Sequence, residues 1–242
     1  SSFAPTLSAG TESSGVFQPA GGGLNSSPAE GGFDAAPERT NTFEIGTKWE
    51  VLKNRLRVEG SVFRTIKTNA RDVNSLEGTV DVSGEERIRG FEISAQGAIL
   101  PNWHVLAGYT FLDGEVLESD IEERLPSGEI TSREGLDTEN TPESSFTAWT
   151  TYTLPWQPVD LGFGAEFVGE RQTFQGRTDR AIISADSFWK FDLMARYRLN
   201  ENFQFQANVL NITDKDFIQG LGTGQSLPGE GRTALFSGRI NF

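Results

Sequence analysis

Three arginines and one phenylalanine lie close together in the segment GERQTFQGRTDR of an otherwise acidic chain. They are Arg171, Phe174, Arg177 and Arg180. Guanidinium groups donate charge-assisted hydrogen bonds to anions, and an aromatic ring adds cation–π contacts. The cluster is therefore suited to binding an anionic, aromatic ligand. Two other interpretations stay open: the arginines offset neighbouring acids, or they bind the phosphates of lipopolysaccharide.

Other side chains with catalytic or metal-binding potential are sparse. The single histidine, His104, follows a predicted short turn, far from the acidic loops that would supply a general base with partners. The acidic run 117–129 has carboxylates suited to calcium, but its pattern is that of a solvated loop face. Residues 211–213 match a glycosylation sequon. They lie at a predicted junction of strand and loop, and we do not interpret them as a glycosylation site. We expect no catalytic residue, no metal site and no cofactor.

The composition excludes several classes of function. Cysteine is absent and methionine occurs once, so neither a disulfide framework nor a thiolate metal site is available. The formal net charge of −13 argues against nucleic acid as a partner, because its phosphates would be repelled. The chain contains no run of about 18 apolar residues, so the sequence does not predict a membrane-spanning helix. The opening residues, SSFAPTLSAG, lack the pattern of a signal peptide.

Alternating apolar and polar residues predict long antiparallel strands joined in pairs. In the first pair, a two-residue turn at 53–54 sets Glu50 opposite Arg57 and Lys48 opposite Glu59. One face of this hairpin is then charged and the other apolar. Three more hairpins repeat the design, at residues 91–111, 146–167 and 189–209.

The final residues, GRTALFSGRINF, predict a strand that ends on an aromatic side chain. Phe236, Ile240 and Phe242 share one face, and mostly polar residues occupy the other. The last strand of a transmembrane β-barrel needs this pattern, because outward side chains meet lipid and inward side chains meet a wet lumen. The last strand of a soluble sandwich has the same pattern, so this stretch alone leaves both open.

The connections between strands favour the barrel. Short turns join the strands at one end, as periplasmic turns do, and long polar stretches join them at the other, as extracellular loops do. The long stretches are residues 68–86, 113–143, 171–186 and 213–231. Aromatic residues near both strand ends match two interfacial girdles. We therefore predict an all-β, antiparallel transmembrane barrel segment of about ten strands, beginning at residues 1–8 and ending at Phe242, with 9–40 as a long extracellular loop.

Several segments resemble the C-terminal half of the β-barrel of TonB-dependent outer-membrane receptors of the siderophore type. They cover most of residues 41–242 in the family's order, and include TNTFEIGTKWEVLKNRLRVEGSVFRT, RIRGFEISAQGAILPNWHVLAGYTFLDGE, NTPESSFTAWTTYTL, FDLMARYRLNENFQFQANVLNITDKDF and PGEGRTALFSGRINF. The resemblance implies the last ten strands of a 22-stranded barrel in the outer membrane of a Gram-negative bacterium, surrounded by lipid and lipopolysaccharide.

The resemblance also implies partners. One is a ferric siderophore, such as a ferric catecholate, which the loop with Arg171, Phe174, Arg177 and Arg180 would bind. In this family an N-terminal plug domain fills the barrel and a short motif before it engages TonB, and the 242 residues contain neither. The ending of the last strand, with Phe236, Ile240 and Phe242, is similar to the signal read by the barrel-assembly machinery. Six apolar residues on the predicted lumen face would contact the plug: Phe63, Leu106, Trp149, Phe188, Leu210 and Leu235.

Two alternative functions stay open at this point. A small autonomous barrel of about ten strands, acting as an adhesin or channel, requires residues 1–8 to pair with 232–242. That first strand is short and carries Pro5, which lacks a donor for the ladder. A soluble, lectin-like binding module would have to pack its apolar faces sheet on sheet.

Overall fold

Antiparallel β-strands make up all of the regular structure in the described part of the chain. The computed structural model describes residues 37–74, 79–119, 123–124, 128, 130–175, 181–222 and 225–241. The strands are β1 Arg39–Val51, β2 Leu56–Asn74, β3 Thr79–Leu100, β4 Trp103–Glu118, β5 Glu123–Arg124, β6 Ile130–Thr131, β7 Ser144–Thr153, β8 Val159–Val168, β9 Arg171–Gln175, β10 Ala181–Ala185, β11 Phe188–Arg198, β12 Phe203–Leu210, β13 Ile218–Gly222, β14 Gln225–Pro228 and β15 Thr233–Ile240.

Nine strands form one sheet, in the order β1-β2-β3-β4-β7-β8-β11-β12-β15, so each strand pairs with its neighbour along the chain. The other strands form two-stranded hairpins within the loops: β5 with β6, β9 with β10, and β13 with β14. Within the described residues β1 and β15 do not pair, so the sheet is open. The predicted strand at 1–8 lies outside the described residues, as does most of the predicted loop 9–40, and β1 begins at Arg39 inside that range.

The predicted register of the first hairpin is confirmed. Glu50 pairs with Arg57 and Lys48 with Glu59, and both pairs form ion pairs, at 3.4 and 3.6 Å. The turn itself is longer than predicted, because β1 ends at Val51 and β2 begins at Leu56. Three successive turn residues, 52–54, adopt the left-handed backbone region. Adding one residue to each side of a two-residue turn leaves the same residues paired. The predicted register is therefore correct although the predicted turn is too short.

The prediction of a loop at residues 68–86 is wrong. Strand β2 continues to Asn74 and β3 starts at Thr79, and the two strands stay paired through this region with register shifts near Ala70. Few apolar residues occur in this stretch, and only Val80 and Val82 alternate with polar neighbours. So short an alternation does not distinguish a strand from a polar loop in sequence.

Apolar side chains cover the outer face of the sheet and remain exposed. Phe43 is 69% exposed, Phe163 41% and Phe236 81%. The buried apolar residues of the described chain are few: Ala70, Ala185, Phe188, Met194 and Leu221. A soluble sandwich would bury this face, so the outward apolar band contradicts the lectin-like alternative. In the ranges that the structure describes, no helix is long and apolar enough to cross a membrane.

One inward apolar residue finds its partners in the sheet itself. The ring of Trp149 lies across two glycines of β8: a Cβ at Gly162 would be 2.8 Å from its Cζ2 atom, and a Cβ at Gly164 2.8 Å from its Cε3 atom. Met194 of β11 closes the other side of Gly162. Nε1 of Trp149 donates a hydrogen bond to the Thr151 hydroxyl, at 3.1 Å. Within this sheet, Trp149 is therefore packed without a plug domain.

Replacing Gly162 with alanine is expected to destabilise the barrel by about 1 kcal/mol, because the new methyl group must displace Trp149 and Met194. The midpoint of heat unfolding of the full-length protein in detergent measures the effect. Gly46→Ala serves as the matched control, since its Cβ would meet the nearest atom at an ordinary 3.4 Å. Equal midpoints for the two variants would contradict the packing of Trp149 on Gly162.

Candidate ligand-binding site

A pocket of about 330 Å³ lies at the loop end of β8, β11 and β12. Alternation along the strands directs even-numbered residues of β8 and β11 toward the lumen, and the loops supply the rest of the wall. The lining residues that carry charge or rings are Glu166, Arg171, Phe188, Lys190, Asp192, Phe217 and Glu230. The pocket is thus shared by the barrel wall and two of the loops.

Two acids of the wall are held by neighbours. Nζ of Lys190 lies 2.6 Å from a carboxylate oxygen of Glu166, on the adjacent strand. Oδ1 of Asp192 accepts a hydrogen bond from the backbone N–H of Asn211, at 2.8 Å. These contacts fix the polar side of the pocket before any ligand arrives.

Arg171 connects two loops across the pocket. It begins β9, is only 9% exposed, and donates from Nη1 to the carbonyl of Gln219 at 3.0 Å and from Nη2 to the carbonyl of Ile218 at 2.6 Å. Its Nε has no hydrogen-bond partner in the described structure. No carboxylate of the described residues forms an ion pair with it, and burial lowers the pKa of Arg171 from its usual value. The guanidinium therefore fastens β13 to β9.

An aromatic pair makes a second link to the same loop. Phe188, 5% exposed, stacks on Phe217 with ring centroids 4.2 Å apart and an interplanar angle of 27°. A Cβ at Gly229 would lie 2.2 Å from the Phe217 ring, so only glycine fits there. This contact also gives an inward apolar residue, Phe188, a partner within the chain.

Asn211 closes the base of that loop. Its Oδ1 accepts from the backbone N–H of Lys215 at 2.9 Å, and its Nδ2 donates to the carbonyls of Lys215 at 2.9 Å and Glu230 at 3.1 Å. The residue is 1% exposed and adopts a left-handed backbone, with φ of 50°. Asparagine tolerates this backbone region better than most residues and carries both donor and acceptor, so one side chain satisfies three backbone groups.

The structure locates only part of the predicted binding loop. Arg171 lies in the pocket wall, and Phe174 pairs with Ile182 in the β9–β10 hairpin. The description does not include the side chain of Phe174. Arg177 and Arg180 lie outside the described residues altogether. The role of these four residues as ligand contacts stays a prediction.

The other candidate residues of the sequence analysis lie away from this pocket or outside the described residues. His104 lies one residue into β4 beside a short turn, and its ring has no hydrogen-bond partner in the described part of the chain. Much of the acidic run 117–129 is outside the description. Among the residues that are described, no three acidic or histidine side chains converge as a metal site requires. Phe236 and Ile240 are exposed on β15, 81% and 52%, whereas Phe242 is not described.

The comparisons with known proteins agree on the fold. A family model described as "TonB dependent receptor-like, beta-barrel" matches residues 1–212. The catecholate siderophore receptor Fiu of Escherichia coli K12 is 32% identical over 241 residues, covering 94% of this chain and 30% of that protein. The probable TonB-dependent siderophore receptor PiuA of Acinetobacter baumannii is 35% identical over 210 residues, covering 85% and 27%.

Solved structures give the same result. The closed form of Escherichia coli Fiu superposes with a TM-score of 0.70 at 32% identity, over 86% of this chain and 28% of that one. Acinetobacter baumannii PiuA gives a TM-score of 0.71 at 32% identity, over 83% and 28%. The chain spans about 30% of the length of the curated relatives it matches. The structure is an open antiparallel sheet with an outward apolar face, and the family model matches most of the chain. The chain therefore belongs to the TonB-dependent receptor β-barrels of the outer membrane.

Proposed function

We propose that this chain forms part of the barrel wall and the loops of a receptor that imports a ferric siderophore, with energy supplied through TonB in the whole protein. The observation that carries the proposal is the identity of 32% and 35%, over most of the chain, to two proteins named as siderophore receptors. The name of Fiu specifies a catecholate siderophore, and we extend that ligand class to this chain.

Features of the lumen face favour the presence of a second domain inside the barrel. The sheet lines an open, concave space of about 1090 Å³, and the polar part of the lining includes Glu44, Lys48 and Glu92. Leu235 also faces this side and is 51% exposed. A single exposed leucine is common on protein surfaces, so the concave space itself carries the argument. We propose that a plug domain fills this space, and that further strands pair with the open edges of β1 and β15.

Contacts between the loops favour a role in binding an anion from outside the cell. Arg171 joins β9 to β13, and the Phe188–Phe217 stack joins β11 to the same loop, so Phe174, Arg177 and Arg180 follow a strand that is held in place. We propose that these three residues contact an anionic catecholate chelate and that Arg171 positions them. The proposed role is transport without catalysis.

The last strand supports an assembly role. Phe236 and Ile240 are outward and exposed on β15. We propose that they act with Phe242 as the signal for the barrel-assembly machinery, in addition to contacting lipid.

Uptake of labelled iron tests the proposed function. The full-length protein is produced in a Gram-negative host that has TonB but makes no siderophore and lacks other siderophore receptors. We expect uptake of a ferric catecholate, little uptake of a ferric hydroxamate, and no uptake once TonB is deleted. Uptake that persists without TonB would instead indicate a passive channel, and failure to take up any ferric siderophore would overturn the proposal.

A further inference from the structure

The outer face of β1–β4 changes from apolar to charged within one step along the strands. Directly paired outward positions form rows across the four strands. One row consists of Ile45, Val62, Phe91 and Phe111. The next row toward the loops consists of Phe43, Arg64, Arg89 and Asp113. Successive outward rows are about 7 Å apart along a strand, so this step marks the edge of the lipid-facing band on the loop side.

The charged row holds two arginines side by side. Arg64 pairs directly with Arg89 across β2 and β3. Nε and Nη2 of Arg89 both donate to Oδ2 of Asp113, at 2.9 and 2.8 Å. Arg64 is exposed and has no hydrogen bond or ion pair to any residue that the structure describes. Like charges directly opposite on a sheet repel each other, so an anion between the two guanidinium groups would stabilise this arrangement.

The rows above supply no carboxylate for Arg64. In the second row Arg87 is paired with Glu115. The paired positions beyond contain Arg39, Glu85 and Glu118, which together carry more negative than positive charge. The excess positive charge is therefore confined to the row that borders the apolar band.

We propose that Arg64 and Arg89 bind a phosphate group of lipopolysaccharide in the outer leaflet. The apolar row would contact its acyl chains, with Phe91 and Phe111 stacked 5.6 Å apart and Phe43 69% exposed beside Arg64. At the loop end of an outer-membrane barrel, the phosphates of this lipid lie directly above its acyl chains. Guanidinium groups match phosphate oxygens in geometry and charge. The proposal requires the outer-membrane barrel but not any particular transported ligand.

Native mass spectrometry of the full-length protein in detergent tests this site. Purified lipid A with both phosphates is titrated against the wild type and Arg64→Gln, a variant that leaves the Arg89–Asp113 pair intact. We expect Arg64→Gln to bind lipid A about tenfold more weakly, the effect of losing one charge-assisted hydrogen bond. Arg55→Gln, at the opposite end of the barrel, removes the same charge and should bind as the wild type does. Arg64→Lys should recover part of the affinity.

Other probes identify the source of the phosphate. Dephosphorylated lipid A should bind the wild type no better than it binds Arg64→Gln. Equal binding of intact lipid A by the wild type and Arg64→Gln would overturn the proposal. So would binding of phosphatidylglycerol or inorganic phosphate at Arg64 as tight as that of lipid A, since the site would then be a general phosphate site. Unchanged heat unfolding of Arg64→Gln excludes misfolding as the cause.

Discussion

Replacing Asn211 with alanine is expected to lower the free energy of unfolding by about 3 kcal/mol, one of the largest effects of a single substitution in this chain. The change removes three hydrogen bonds from a side chain that is 1% exposed, and leaves the carbonyls of Lys215 and Glu230 without that donor. It also requires alanine to adopt a left-handed backbone with φ of 50°. Chemical denaturation of the full-length protein in detergent measures the loss.

Two further substitutions at Asn211 separate these causes. Asn211→Gly keeps the backbone conformation without strain, so it should be more stable than the alanine variant by about 1 kcal/mol. Asn211→Asp retains the acceptor for the Lys215 N–H but loses both donated bonds. Asn41→Ala, an exposed asparagine of β1, is the matched control and should leave stability unchanged. If Asn211→Ala were as stable as this control, Asn211 would not close the loop.

Replacing Arg171 with methionine should weaken the proposed siderophore binding by at least about tenfold while the barrel remains assembled. Methionine fills a similar volume but cannot donate to the carbonyls of Ile218 and Gln219, which lie 2.6 and 3.0 Å from the guanidinium. The β13–β14 hairpin would then detach from β9. Two measurements follow the effect: binding of the ferric siderophore to whole cells, and limited proteolysis within residues 218–228.

Arg171→Lys distinguishes a positioning role from a direct ligand contact. Lysine retains the positive charge but lacks the planar fork that reaches two carbonyls at once. If Arg171 positions the loop, the lysine variant should be cleaved as readily as the methionine variant and should bind as weakly. If lysine restores binding while the hairpin stays open to protease, the charge itself contacts the ligand and the positioning role is wrong.

The barrel wall was predictable from sequence because lipid and lumen impose a period of two on every strand. The first hairpin adds ion pairs on the lumen face, between Lys48 and Glu59 and between Glu50 and Arg57. A slip of one residue would exchange the two faces, so the alternating pattern excludes such a slip, and the length of the turn sets the rest of the register. Beyond the lipid this constraint ends, and the extension of β2 and β3 through residues 68–86 contains only a short apolar alternation, at Val80 and Val82, which did not predict a strand.

The pocket was less predictable, because its contacts join segments that are distant in sequence. Arg171 was singled out for its charge, but its partners are backbone carbonyls 47 and 48 residues away, and a carbonyl leaves no trace in sequence. Asn211 attracted attention only as part of a sequon. A better signal was its position at the end of β12, where asparagine commonly adopts a left-handed backbone and hydrogen-bonds to nearby main-chain groups.

The use of main-chain acceptors has an evolutionary consequence. Arg171 and Asn211 hold the β13–β14 segment through the carbonyls and N–H groups of residues 215, 218, 219 and 230, and every amino acid except proline supplies both groups. Side chains at these four positions are therefore free to change without releasing the loop. A loop held in this way is able to diversify its exposed surface during evolution while the supports beneath that surface stay the same.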